Sequence, residues 1–131
     1  MNQFQQKEGI YTTFSKEKIR LSRNLSYGRK AICINNKWGF VDSKGSIIIK
    51  PQYDLVYDFN SKATAVLKNH KWHVIDRYGK DVSNLAFDYF GAFINNKAKV
   101  ILNNKYNFID QNGKLENQIW ILLFHLKNQP K

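Results

Sequence analysis

The sequence has one cysteine, Cys33, which excludes an internal disulfide framework and fits a reducing compartment. It also lacks any long apolar run. The longest, Ile119 to Phe124, falls far short of the roughly 20 residues a helix needs to span a bilayer. The first residues, Met1 to Glu8, are polar and lack the apolar stretch of a secretory signal, so a soluble cytoplasmic protein with no membrane partner is expected. Acidic residues are scarce, ten against 21 lysines and arginines, for a formal net charge of +11. A Gly-rich phosphate loop, a nucleophile elbow and a pair of acids at catalytic spacing are all missing, so neither an enzymatic activity nor a cofactor is expected. No stretch carries a persuasive helical period; residues 14–25 are where a short helix would fit.

What the chain has is a repeat. Lys37-Trp38-Gly39-Phe40-Val41-Asp42-Ser43-Lys44-Gly45 returns as Lys71-Trp72-His73-Val74-Ile75-Asp76-Arg77-Tyr78-Gly79, and again as Lys105-Tyr106-Asn107-Phe108-Ile109-Asp110-Gln111-Asn112-Gly113. Lysine, aromatic, aspartate and glycine recur every 34 residues, the mark of a repeat architecture. Before each motif stands an apolar run, Ala31 to Ile34, Ala65 to Leu67 and Lys99 to Leu102, then Asn35-Asn36, Asn69-His70 or Asn103-Asn104. Asparagine tolerates the left-handed backbone of tight hairpins, so each run and motif read as two antiparallel strands. Trp38 and Phe40 then share one strand face, and Gly39 and Val41 the other. Asp42-Ser43-Lys44-Gly45 has aspartate first and glycine fourth, as in a type I turn. Ile47-Ile48-Ile49 reads as a third strand that Pro51 stops, because proline has no N–H to donate. Ile19 and Leu21 alternate with Arg20 and Ser22 as in a half-buried strand, and Leu25 is in phase with Phe59 and Phe93.

The pattern over residues 35–54, Asn-x-Lys-Trp-Gly-Phe-Val-Asp-x-x-Gly-x-Ile-Ile-x-x-Pro-x-Tyr-Asp, resembles the bacterial WG (or KWG) repeat. The second unit has His73 for the glycine and Leu85 for the proline, and the third has Tyr106-Asn107 for Trp-Gly. The resemblance covers about residues 19–118. It implies a β-rich bacterial repeat protein that serves in interactions rather than catalysis.

Residues and resemblance together give an all-β array of three antiparallel β-meander repeats of about 34 residues, capped by an N-terminal segment. Residues 1–18 are a basic extension, and 19–131 form the β domain, with units of about 31–64, 65–98 and 99–131. The periodic aromatics Trp38, Phe40, Tyr53, Phe59, Trp72, Phe87, Phe93 and Phe108 are assigned to a core continuous from unit to unit.

Candidate chemistry is thin. Asp42, Asp76 and Asp110 recur as turn residues whose side chains hydrogen-bond the following backbone, which explains them without a carboxylate cluster. His70 and His73 are separated by an odd number of residues, so on a strand they diverge, and His125 is remote in sequence; no metal is expected. Cys33 lies mid-strand as an inert core thiol.

Binding surfaces are better supplied. Residues 1–34 hold seven basic and two acidic side chains, and Lys16, Lys18, Arg20, Arg23, Arg29 and Lys30 form a basic face for DNA, RNA or an acidic protein. Tyr57, Tyr78 and Tyr89 lie outside the repeated motif and are candidates for partner contact. In Ile119, Trp120, Ile121, Leu122 and Phe124 the chain is apolar without alternation, so both faces of that strand should be buried. A second copy would cover one of them, giving a homodimer. The functional expectation is a non-enzymatic adaptor that docks on a larger protein, such as an accessory subunit of a nucleoprotein enzyme in phage defence. Direct nucleic-acid binding through the basic face is the alternative.

Overall fold

A computed structural model of the chain describes residues 19–116, the side chains of Ile19 and Arg20 excepted, and holds ten strands. Among the described residues no helix is long and apolar enough to cross a membrane. The strands are β1 (Ile19–Ser26), β2 (Arg29–Ile34), β3 (Lys37–Val41), β4 (Ile47–Tyr53), β5 (Leu55–Val56), β6 (Ala63–Lys68), β7 (Lys71–Asp76), β8 (Tyr89–Phe90), β9 (Lys97–Leu102) and β10 (Lys105–Asp110). They make three antiparallel sheets, ordered β1-β2-β3-β4, β5-β6-β7 and β10-β9-β8. Residues 19–26, within reach of the one helical option, are strand, because pairing with β2 satisfies their backbone along its length.

Each sheet is built on one hairpin. Ile34 pairs with Lys37, Lys68 with Lys71 and Leu102 with Lys105, leaving two-residue loops. Both loop residues take positive φ in every case: 52° and 65° at Asn35-Asn36, 53° and 67° at Asn69-His70, 54° and 65° at Asn103-Asn104. This left-handed pair matches the right-handed twist of the flanking strands. The aspartate turns are equally regular. Asp42 Oδ1 accepts the N–H groups of Lys44 and Ser46, both at 2.9 Å; Asp76 and Asp110 do the same for Tyr78 and Lys80, and for Asn112 and Lys114.

Pro51 does not stop the third strand. β4 continues through it to Tyr53, which pairs with Trp38 after a register shift. Proline is tolerated because it sits in the irregularity, where no ladder donor is needed. The same bulge explains the glycine of Trp38-Gly39. A Cβ at Gly39 would press on the Ile49 carbonyl oxygen and come within 2.5 Å of Pro51 N. In the second unit the return segment touches β7 only at Asp81 and Phe87, and His73 fits where glycine stood.

Two apolar layers fill the spaces between the sheets. The first joins Ala31, Phe40, Ile49, Tyr53, Val56 and Phe59 to Val66 and Ile75 of the second sheet. The second joins Ala65 and Val74 to Phe87, Phe90 and Phe93, and then to Ala98, Val100, Ile109 and Leu115. So β6 and β7 present one face to each layer, as period-two alternation requires. Phe40, Phe59, Phe87, Phe90 and Phe93 are buried as expected. Trp38 and Trp72, assigned to the core from sequence, are half-buried and pack at its margin. Phe108 and its neighbour Tyr106 are exposed, because no described sheet lies beyond theirs. Leu25 is exposed for the matching reason at the other end, where no described sheet precedes β1.

Candidate interaction face of the third sheet

The units are joined by polar contacts that repeat with the sequence. Arg23 Nη2 donates to the Val56 carbonyl at 2.8 Å, and 34 residues later the Tyr57 hydroxyl donates to the Phe90 carbonyl at 2.8 Å. Ser26 Oγ donates to the Phe59 carbonyl at 2.9 Å, and Asn60 Nδ2 to that of Phe93 at 3.3 Å. The residues at 23 and 57 also roof the tryptophans. The Arg23 guanidinium lies 4.6 Å above the Trp38 ring, and Tyr57 stacks on Trp72 with centroids 5.2 Å apart.

At the next step of 34 residues both donors are gone. Gly91 stands in the place of Arg23 and Tyr57, and Ile94 in that of Ser26 and Asn60. The small residue beneath them changes as well, from Ala31 and Ala65 to Lys99, whose ammonium lies 5.0 Å from the Tyr106 ring. The outer face of the third sheet is therefore bare: Ile94 is 74% exposed, Tyr106 57%, Tyr89 46% and Phe108 43%. Tyr89, Gly91, Ile94, Lys99 and Phe108 border a concavity of about 530 Å³, with Lys97 and Glu116 paired at its rim at 3.1 Å. An apolar floor ringed by amines, joined to an open strand edge, suits a protein segment better than a reaction.

The residues singled out from sequence are scattered over the molecule. Lys16 and Lys18 lie outside the described residues, as do Ile119, Trp120, Ile121, Leu122 and Phe124, and Arg20 is described only as a β1 residue. Arg23 is held by Asp58 at 3.1 Å as well as by Val56 and Trp38. Arg29 is 7% exposed; its Nε donates to the Arg77 carbonyl at 2.9 Å and its guanidinium lies 5.5 Å from the Tyr78 ring. Lys30 is half-buried between its ladder partners Leu25 and Val41. Tyr57 is a joint between units, Tyr78 is exposed on its turn, and Tyr89 alone of the three tyrosines borders the concavity. Ile94, Lys99, Tyr106 and Phe108 were not marked as binding residues. The signal for them is the loss of a repeat partner, Tyr57 to Gly91 and Ala65 to Lys99, rather than any motif.

Among the described residues no three His, Cys, Asp or Glu side chains are grouped to hold a metal. His73 Nδ1 lies 3.3 Å from the Asp81 carboxylate, and His70 forms its hairpin turn. Cys33 is buried. The Ser46 N–H, then the Lys44 N–H and the charges of Arg29 and Lys44, hold the Asp42 carboxyl below its usual range. A hydrogen bond from Lys37 Nζ does the same for Asp54, while burial pushes the Tyr53 and Tyr57 phenols up. These shifts belong to turns and joints.

A family profile described as a WG containing repeat matches residues 38–72 and 74–106, spanning both inter-unit layers. No curated protein and no solved structure matches the chain.

Proposed function

This chain belongs to the WG-containing repeat family, and on that premise we propose that it is a non-enzymatic interaction module that docks on a larger protein through the outer face of its third sheet. One observation carries the proposal: at Gly91, Ile94 and Lys99 the residues that bind unit to unit are replaced, leaving Tyr89, Ile94, Tyr106 and Phe108 exposed together. A surface meant for one more identical unit would keep the donors. In its finer form the reading is an adaptor, an accessory subunit of a nucleoprotein enzyme, with self-association through Ile119 to Phe124 as part of the same assembly. Arg23 and Arg29 are engaged within the fold, which favours a protein partner over nucleic acid.

The test is affinity purification from the native host with and without nuclease, using the unaltered chain and an Ile94→Asp/Phe108→Asp variant of matched thermal stability. A partner that survives nuclease and is lost from the variant is the expected result. Recovery equal from both proteins, or abolished by nuclease, would overturn the proposal.

A further inference from the structure

The first two units show what covers a face of this kind. In each, a returning segment places an aromatic opposite the tryptophan, Tyr53 against Trp38 and Phe87 against Trp72; the Trp72–Phe87 pair exchanges both backbone hydrogen bonds at 2.9 Å. The next residue is an aspartate that pairs with the lysine before the tryptophan, Asp54 with Lys37 at 2.5 Å and Asp88 with Lys71. Two residues on comes an apolar plug, Val56 or Phe90, and three further a phenylalanine, Phe59 or Phe93, all buried in the layer above.

The third unit presents the same receptor. Glu116 N donates to the Phe108 carbonyl at 2.7 Å, as Val82 N donates to that of Val74 at 3.0 Å. Beyond that point, among the described residues, the β10 edge at Tyr106 has no ladder partner and Lys105 has no ion pair. The chain's own sequence has Leu122 at the position corresponding to Asp54 and Asp88, and residues 117–131 contain no acidic side chain. The missing carboxylate must come from elsewhere.

We infer that this edge and concavity capture an extended segment of a partner protein: an aromatic residue followed at once by aspartate, with apolar residues three and six positions after the aromatic. The segment adds a strand to β10, its aspartate meets Lys105 with Lys99 nearby, and its apolar residues fill the concavity beside Phe108. Main-chain pairing holds it, and the side-chain spacing selects it. The inference rests on the interaction reading above and names the chemistry of its partner.

The probe is a fluorescent peptide with the sequence of residues 51–60, which already performs this role in the first unit. Binding to the full-length chain is followed by anisotropy. Saturable binding is expected, abolished by Phe108→Asp and weakened roughly three- to tenfold by Lys105→Glu, the scale of one exposed ion pair turned to repulsion. A peptide with lysine at the Asp54 position should recover that loss on Lys105→Glu and bind the unaltered chain less well. Absence of saturable binding, or indifference to Lys105→Glu, overturns the inference. Binding seen only in an Ile121→Asp/Phe124→Asp variant assigns the face to the chain's own later residues, and competition by unlabelled chain assigns it to a second copy. Either result overturns it. If the purified partner depends on Ile94 and Phe108 while the peptide fails to bind, the acidic strand falls and the interaction reading stands.

Discussion

The side-chain oxygen of Gln111 accepts a hydrogen bond from the backbone nitrogen of Ala63 at 3.0 Å, 48 residues earlier in the chain. It also accepts from Lys62 N at 2.8 Å, while its Nε2 donates to Asn60 Oδ1 and the Asn95 carbonyl. Arg77, one repeat before Gln111, reaches the previous turn in the same way, donating to the Tyr27 carbonyl. The residue after the repeated aspartate therefore clamps the hairpin of the preceding unit.

Gln111 is buried, so Gln111→Ala should leave two backbone donors without this acceptor and cost about 1–3 kcal/mol. Asn112→Ala, one residue on and exposed, should fall within roughly 0.5 kcal/mol of the unaltered chain. Urea denaturation of the two variants checks the contrast.

Aromatic truncations should rank by burial rather than by ring size. Phe40→Ala and Phe90→Ala, at fully buried sites, should cost about 3–5 kcal/mol. Trp38→Ala and Trp72→Ala should cost less, since one side of each ring meets only Arg23 or Tyr57. Tyr106→Ala should stay within about 0.5 kcal/mol. Thermal melts in which Tyr106→Ala matched Trp72→Ala would contradict the exposed third face.

Gly39→Ala should destabilise by about 1–3 kcal/mol, the usual cost of an overpacked site, because the β4 backbone occupies the space a Cβ would take. His73→Ala, at the equivalent position, should be far milder. A pair of chemical denaturation curves decides it.

The acid limb of stability should depend on Asp42. Its folded pKa lies below the ordinary 3.8, so its stabilisation is complete above that value and fades as pH falls through the lower folded value. Asp42→Asn keeps an acceptor but not the charge, and should flatten the loss of stability below about pH 3.8 while changing little near neutrality. Melting temperatures across the acid range measure this.

Much of the architecture was legible because short-range chemistry specifies it. Asn35-Asn36 and its two counterparts demand left-handed turns, Asp42 and its counterparts cap their own backbone, and alternation assigns Phe40 and Val41 to opposite faces. Each is decided within a few residues, and the 34-residue period shows that they recur. What only the tertiary structure decided is which side of a repeated position meets another sheet. Trp38, Trp72 and Tyr106 occupy one sequence slot, yet their environments are a guanidinium, a stacked phenol and a lone ammonium, because the covering residue lies 15 positions earlier for the first two and on the neighbouring strand for the third. The basic face failed to read as a unit for the same reason. Charge is a property of the sequence, but whether Arg23 and Arg29 face solvent depends on Asp58 and Arg77, residues brought beside them only when one unit stacks on the next.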